Sequence, residues 1–128
     1  MNRKYSSARE AFGEGRLSWT KDDIVGYLIA PSYRFSDSHS SVTNLAGAVA
    51  AGPVALTERA IAAGYASSGR LTFEDVEGDV AAVVLARRGG VLIAFLDEVE
   101  GLPRRLAARA DLTIGAPKKS APLFYFRV

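Results

Sequence analysis

Apolar positions recur with two different periods along the chain, helical near the start and strand-like afterwards. Near the N-terminus, three residues recur at the spacing of one helix face: Tyr5, Ala8 and Phe12. Ser7 and Glu10 have the spacing of a capping box, whose side chains satisfy backbone N–H groups of a first helical turn. Glycines follow at positions 13 and 15, so the pattern predicts a helix near residues 6–13. Because so short a helix is marginal alone, its apolar stripe must pack on another surface.

The clearest prediction beyond this helix is a β-hairpin. Val80–Ala86 and Val91–Asp97 are apolar runs of strand length, and Arg87-Arg88-Gly89-Gly90 separates them. Nearly every position in both runs is apolar, which indicates strands that are covered on both faces. Further strands are predicted over six segments: Asp23–Ala30, Tyr33–Ser36, Pro53–Ile61, Leu71–Phe73, Asp111–Ile114 and Leu123–Val128.

The segments between these strands have the composition of turns and loops. Residues 37–44 predict a polar loop, Tyr65–Gly69 predicts a turn, and Glu74–Asp79 predicts an acidic turn. Residues 46–52 are small and favour neither helix nor strand, and Gly101-Leu102-Pro103 breaks the chain. Roughly seven to nine short strands at about 8–12-residue spacing are typical of an antiparallel β-sandwich or jelly roll. We therefore expect a mainly β fold of this kind with a short N-terminal helix.

Length and composition narrow the class further. A chain of 128 residues has the size of one domain, which we expect to comprise a helical arm over residues 1–15 and a β-sandwich over residues 20–128. It contains no cysteine and one histidine, which excludes disulfides, thiolate metal sites and cysteine nucleophiles. No apolar run has the length of a signal sequence or a membrane span. The sequence predicts a soluble protein of a reducing compartment, with no cofactor and no membrane partner.

The single histidine suggests a Ser/His/Asp arrangement only superficially. His39 lies between serines in Ser36–Ser41, with Asp37 two residues before it. A catalytic triad is assembled from defined positions on a rigid framework, whereas these residues crowd into one predicted loop. Ser67 and Ser68 also lack the G-x-S-x-G spacing of a nucleophile elbow. We interpret the segment as a solvated polar loop, and no catalytic residue is predicted.

Two acidic clusters invite a calcium interpretation. The first surrounds Gly78: Glu74, Asp75, Glu77 and Asp79. It follows neither the D-x-[DN]-x-[DN]-G pattern nor the twelfth-position glutamate of a calcium loop. The second comprises Asp97, Glu98 and Glu100. Asp22 and Asp23 are adjacent and point to opposite faces of a strand, so they do not form a paired-acid site. A dedicated metal site is therefore not expected.

The basic residues occur in small groups: Arg3-Lys4, Arg87-Arg88, Arg104-Arg105 with Arg109, and Lys118-Lys119. They could contact an acidic partner surface. No aromatic residues are interleaved with them as in single-strand binders, and the net charge is only +2, so no specific nucleic-acid partner is predicted. Each group falls at a predicted turn or terminus, where solvated charge is the usual state.

The order of several motifs resembles a family of small structural proteins from tailed-bacteriophage virions. The segment Tyr5-Ser-Ser-Ala-Arg-Glu-Ala-Phe12, a glycine-rich turn and Leu17-Ser-Trp19 resemble the start of those proteins. The later motifs follow in the same order: Asp23–Ile29, Leu71–Phe73, Val76–Ala82, Leu92–Asp97, Gly101–Pro103 and Ala110–Ile114. Residues 31–52 and Lys118–Val128 depart from the family pattern.

The resemblance implies a capsid cement, or decoration, protein that binds and stabilises the lattice of the major capsid protein. It implies a non-enzymatic protein, self-associated on the lattice, made in the host cytoplasm and located on the capsid surface of the virion. The residues expected at the interface are Tyr5, Arg9, Phe12, Arg87, Arg88, Arg104 and Arg105. The helix that carries three of them could instead pack on its own sandwich.

Two other functions stay open. A tail or head–tail connector protein from the same virion would share the resemblance. A ligand- or carbohydrate-binding sandwich would need clustered exposed aromatic residues, and Tyr33, Phe35 and Tyr65 are too few to favour it.

Overall fold

A computed structural model describes residues 3–45, 47–62, 64–97, 102–114 and 123–127 of the chain. These residues form strands, one α-helix and one 3₁₀ helix. In chain order they are β1 (Arg3–Lys4), α1 (Ser6–Gly13), β2 (Ile24–Ile29), the 3₁₀ helix (Val42–Leu45), β3 (Val49–Ala55), β4 (Ala60–Ala62), β5 (Tyr65–Ser68), β6 (Leu71–Val80), β7 (Ala82–Arg87), β8 (Leu92–Leu96), β9 (Arg104–Ile114) and β10 (Leu123–Arg127).

The strands form three antiparallel sheets. The five-stranded sheet has the order β1-β8-β7-β2-β3, a second sheet has the order β10-β5-β4, and β6 pairs with β9. The predicted class, mainly antiparallel β with a short N-terminal helix, is confirmed. Among the described residues, no helix combines the length and the apolar character needed to cross a membrane.

The β7–β8 hairpin is the predicted one, except that Val80, predicted to begin its first strand, ends β6 instead. The strands of the hairpin are covered on both faces. Val84 pairs with Phe95 and Leu85 with Ala94. Along β7, alternate side chains belong to two separate cores, so that Val83 and Leu85 face one and Ala82, Val84 and Ala86 face the other. In the turn, Gly90 N–H donates to the Arg87 carbonyl at 2.8 Å. Ala82–Ala86 and Leu92–Leu96 are apolar throughout because neither segment has a solvent face.

The larger core lies between the five-stranded sheet and the β6–β9 pair. Trp19 and Phe73 are its largest buried side chains, at 1% and 0% exposure. Helix α1 contributes to it through Ala8 and Ala11, which are both buried. Helix α1 therefore packs on the sheets of its own chain.

The smaller core lies on the opposite face of the five-stranded sheet, beneath the segment from Pro31 to Leu45. Tyr5 is fully buried there, with its ring centroid 4.9 Å from that of Phe35. Phe35 in turn lies 5.6 Å from Phe95 of β8. Tyr33–Ser36, predicted as a strand, is irregular because its aromatic residues cover this face and form no ladder. The predicted loop 37–44 ends in the 3₁₀ helix.

Strand boundaries between residues 46 and 70 differ from the sequence prediction. The continuous strand Pro53–Ile61 is wrong: β3 ends at Ala55 and β4 begins at Ala60. Between them Glu58 adopts φ 51°, a left-handed conformation that interrupts a strand. The predicted turn at Tyr65–Gly69 is also wrong, since Tyr65–Ser68 forms β5 between β4 and β10. Small residues such as alanine and serine carry little strand signal.

The predicted acidic turn at Glu74–Asp79 lies inside a ten-residue strand, β6. The register with β9 shifts twice, between Phe73 and Val76 and between Val76 and Gly78. Asp75 at φ 59° and Gly78 at φ 94° accompany these shifts. Their turn-forming composition therefore reflects β-bulges in a continuing strand. Arg104 and Arg105, predicted at a turn, begin β9.

Helix α1 has the predicted extent but not the predicted cap. Tyr5 occupies the N-cap position, and no side chain there caps the helix. Ser7 Oγ contacts the Leu92 carbonyl at 3.5 Å, so the capping box with Glu10 does not form. A more distant residue, Asp37, contacts the first turn through its carbonyl, which accepts from Ser6 N–H at 3.3 Å.

Candidate docking groove

The structure separates the seven predicted interface residues. Tyr5 is fully buried and lies in the smaller core, so it is not at the surface. Arg9 and Phe12 lie on α1, and both line a groove beside this helix. The four remaining arginines lie at two other places: Arg87 and Arg88 by the β7–β8 turn, and Arg104 and Arg105 at the start of β9.

The arginines of the β7–β8 turn contact acidic residues of their own chain. Arg88 Nε lies 2.6 Å from Asp23 Oδ2, and Arg88 N–H donates to the Asp23 carbonyl at 2.8 Å. Arg87 Nη1 donates to the Arg16 carbonyl at 3.0 Å and lies 3.8 Å from Asp22 Oδ2. These contacts join the turn to the segment that enters β2, and they leave less of either guanidinium for a partner.

The acidic residues of β6 have arginine partners on β9. Arg109 lies 3.2 Å from Asp75 and 3.4 Å from Glu77, and Arg105 lies 3.6 Å from Asp79. All of these side chains are exposed, so each pair contributes little to stability. The described residues contain no group of three or more potential metal ligands. Lys118-Lys119 and the acidic residues Glu98 and Glu100 lie outside the described residues.

The polar loop places its histidine and its aspartate against different partners. His39 Nδ1 lies 2.7 Å from the Tyr33 hydroxyl, which lies 2.8 Å from the Tyr5 hydroxyl. Asp37 instead contacts Arg9 and Ser6 on α1. The loop residues therefore anchor residues 31–41 to the helix and the smaller core, and their hydrogen bonds do not join into one Ser/His/Asp array.

The groove beside α1 combines apolar walls with a basic edge. Its volume is about 720 Å³, within the range of protein binding sites. The described residues that line it are Lys4, Arg9, Phe12, Gly13, Gly15, Leu17, Ser18, Trp19 and Ile61. Ile61 is 49% exposed, and Val49, at 39%, is the other exposed large apolar side chain among the described residues. No local sequence pattern singles out Ile61, because its place beside α1 depends on the pairing of β4 with β5.

Glycines at the end of α1 leave one wall of the groove open. Gly15 adopts φ 71°, and its N–H donates to the Phe12 carbonyl at 3.2 Å, which closes the helix. A Cβ atom built on Gly13 or on Gly15 would meet no described atom within 4 Å outside the adjacent residues and the backbone of the helix. Among the described residues, no other side chain therefore fills the space next to either glycine.

The opposite wall is held by hydrogen bonds within the segment from Ser18 to Asp22. Ser18 N–H donates to Asp22 Oδ2 at 2.8 Å, and Asp22 N–H donates to the Ser18 carbonyl at 3.0 Å. Arg59 donates to the carbonyl of Trp19 at 2.9 Å and to that of Asp22. These bonds fix Trp19 beneath the groove, so the groove is formed before any partner binds.

The charges at the edge of the groove influence each other. Burial, together with the positive charge of Arg9, lowers the pKa of Lys4. Arg9 donates to the Lys4 carbonyl at 3.0 Å and contacts Asp37 Oδ2 at 3.2 Å. The hydrogen bond from Ser6 Oγ, supported by Arg9, lowers the pKa of Asp37. Asp37 is not among the residues that line the groove.

Comparison of the chain with protein-family models, with curated proteins and with solved structures finds no match.

Proposed function

We propose that this chain is a non-enzymatic bacteriophage capsid cement protein, which binds the lattice of the major capsid protein and stabilises it. One observation carries the proposal. The groove is built largely by Tyr5–Phe12 and Leu17–Trp19, the two segments on which the resemblance to virion structural proteins begins. The family pattern and the candidate docking surface thus coincide in the same part of the chain.

The physical properties of the groove suit a repeated protein–protein contact. Its apolar walls include an exposed isoleucine, and hydrogen bonds around Ser18 and Arg59 hold it in shape, so little ordering entropy is lost on binding. A small interface suffices for a cement protein because copies that also touch their neighbours on the lattice bind with high avidity.

Two of the three aromatic residues considered for a ligand-binding sandwich do not favour that alternative, and the side chain of Tyr65 lies outside the described part of the chain. Tyr33 and Phe35 are partly buried against Phe95 in the smaller core, with ring centroids 5.8 Å and 5.6 Å from it. They serve as packing residues. The tail or head–tail connector role shares the resemblance and is the alternative that an experiment must separate from the cement role.

Quantifying the protein in purified heads and in isolated tails of the virus that encodes it tests the proposal. We expect many copies per head, and heads that lack the protein should disassemble at a lower temperature until purified protein is added back. Recovery with tails alone, or only a few copies per particle, would reject the cement role. Heads whose thermal stability does not respond to the added protein would reject it as well.

A further inference from the structure

Three polar groups form a hydrogen-bonded chain that runs from the smaller core to the polar loop. The Tyr5 hydroxyl lies 2.8 Å from the Tyr33 hydroxyl, which lies 2.7 Å from His39 Nδ1. Tyr5 is fully buried, whereas Tyr33 and His39 are partly buried. Among the described residues, the Tyr33 hydroxyl is the hydrogen-bond partner of the Tyr5 hydroxyl. None of the three residues lines the groove beside α1.

The hydrogens available to these groups fix the direction of both hydrogen bonds. A buried hydroxyl group without an acceptor is costly, so Tyr5 has to donate to the Tyr33 oxygen. The hydroxyl hydrogen of Tyr33 then points to His39, and Nδ1 of the imidazole has to accept it. The ring accepts there only in its neutral form with the hydrogen on Nε2. The contacts therefore require one tautomer of His39.

A second proton on the imidazole is incompatible with this arrangement. An imidazole takes up that proton in mildly acidic solution, and Nδ1 then becomes a donor. The three groups would bring three hydrogens to two contacts, so one hydrogen would have no acceptor within the chain of hydrogen bonds. Either a tyrosine hydroxyl loses its acceptor, or the imidazole leaves Tyr33 for solvent.

The charged groups around this segment are engaged elsewhere. Asp37, two residues before His39, is paired with Arg9 of α1, and Arg3 of β1 lies over the ring of Phe35 at 4.8 Å. The side chain of β8 that packs on the same segment is a phenylalanine, which carries no charge. None of the ion pairs in the described part of the chain includes the imidazole.

The backbone on either side of His39 holds two other parts of the fold. The Ser40 carbonyl accepts from Leu92 N–H of β8 at 3.0 Å, and the Asp37 carbonyl accepts from Ser6 N–H of α1 at 3.3 Å. Because His39 lies between these two carbonyls in the sequence, loss of its side-chain contact would loosen both anchors.

We propose that the Tyr5–Tyr33–His39 chain of hydrogen bonds is a pH-sensitive latch, which holds the segment Ser36–Ser41 while His39 is neutral and releases it when His39 is protonated. The latch concerns this chain by itself and does not rest on the proposed function. Its tests use the purified full chain without capsids, so their failure would leave the cement role unaffected.

The first measurement is the tautomer of the imidazole. His39 is the single histidine of the chain, so its two ring nitrogens give the imidazole signals of a nitrogen-15 NMR spectrum without ambiguity. At pH 7 we expect a hydrogen on Nε2 and none on Nδ1. A hydrogen on Nδ1 at this pH would overturn the proposal.

Urea unfolding at pH 7 and at pH 5 measures the effect of protonation on stability. His39→Asn is the matched variant, because its amide oxygen can replace Nδ1 as acceptor but takes up no proton. Acidification should shift the folding equilibrium of the unmodified chain toward the unfolded state about three- to tenfold more than that of His39→Asn. Asp37 stays ionised at pH 5 in both chains, since the hydrogen bond from Ser6 lowers its pKa.

Two tyrosine variants test the count of hydrogens. Tyr5→Phe removes the buried donor, so the Tyr33 oxygen is free to accept from the protonated imidazole and the acid effect should shrink. Tyr27→Phe is the control, because Tyr27 also packs on the smaller core but takes no part in the hydrogen-bonded chain. It should keep the full acid effect. An undiminished acid effect in Tyr5→Phe would overturn the proposal.

Amide hydrogen exchange shows which part of the fold is released. After correction for the effect of pH on intrinsic exchange, the N–H groups of Ser6 and Leu92 should exchange faster at pH 5 in the unmodified chain, but not in His39→Asn. If the two chains respond alike to pH in stability, His39 is no latch. If their stabilities differ but these two amides exchange alike, protonation acts on the whole fold and the release of the loop is wrong.

Discussion

The hydroxyl group of Tyr5 shows how one buried polar atom constrains its neighbours. Its side chain is fully buried, and its oxygen lies 2.8 Å from the Tyr33 hydroxyl, which in turn lies 2.7 Å from His39 Nδ1. The three groups form a chain from the smaller core to the loop. A buried hydroxyl without a partner is costly, so the middle group of this chain matters most.

Phenylalanine substitutions at the two tyrosines should therefore differ in cost. Tyr33→Phe leaves the Tyr5 hydroxyl buried without its partner and should lower the free energy of unfolding by about 1–3 kcal/mol. Tyr5→Phe leaves Tyr33 bonded to His39 and should cost only about 0.5–1.5 kcal/mol. Urea unfolding of both variants and of the double variant completes the test. In the Tyr33→Phe background, Tyr5→Phe should be neutral or stabilising. If the losses in the free energy of unfolding simply added in the double variant, the Tyr5 hydroxyl would not depend on Tyr33 as its partner.

Helix α1 depends on a cap that lies far away in the sequence. Ser6 Oγ donates to Asp37 Oδ2, and Arg9 lies against the same carboxylate at 3.2 Å. A negative charge at a helix N-terminus also interacts favourably with the helix dipole. The loop residue thus takes the role that the S-x-x-E spacing assigned to Ser7 and Glu10.

Asp37→Ala should lower the melting temperature at pH 7, whereas Glu10→Ala should leave it nearly unchanged. The hydrogen bond from Ser6 lowers the pKa of Asp37 in the folded chain. The ionised carboxylate therefore stabilises the fold fully above the unfolded-state pKa of aspartate, near 4. That contribution is lost as the pH falls through the lower folded-state pKa. Thermal melts at pH 7 and at successively lower pH below 4 should show the deficit of Asp37→Ala shrinking. A deficit of the same size throughout, or a larger effect of Glu10→Ala, would contradict this assignment.

The contrast between the β7–β8 hairpin and the groove explains what the sequence can predict. The hairpin joins two apolar runs through a four-residue turn, so all of its determinants are local and the sequence predicts it. The sequence does not predict β6 as a continuous strand, because bulges at Asp75 and Gly78 require the same turn-forming residues as a chain reversal. The groove needed Ile61 of β4 beside Phe12 of α1, a juxtaposition that no local pattern encodes.

In the part of the chain that the structure describes, the five-stranded sheet has an apolar core on each face. The β6–β9 pair covers one face, and the segment from Pro31 to Leu45 covers the other. The segment from Pro31 to Leu45 is joined to α1 in two ways. Phe35 packs on Tyr5, and Asp37 pairs with Arg9. The position of α1, which forms one wall of the groove, therefore depends on both cores. Conditions that destabilise the packing of the smaller core should displace this helix.

High pH is such a condition, because burial raises the pKa values of Tyr5 and Tyr33 above their ordinary value. A tyrosine whose pKa is higher in the folded than in the unfolded chain contributes fully to the free energy of unfolding below its unfolded-state pKa, near 10. That contribution is lost as the pH rises further. For Tyr5 the free energy of unfolding should fall by at most about 1.4 kcal/mol per pH unit above that value. Urea unfolding at pH 7 to 11 should therefore show the deficit of Tyr5→Phe at neutral pH shrinking above pH 10, since phenylalanine cannot ionise. A deficit that stays constant across this range would mean that Tyr5 ionises as readily in the folded chain as in the unfolded one, and the smaller core would not be the alkali-sensitive part of the fold.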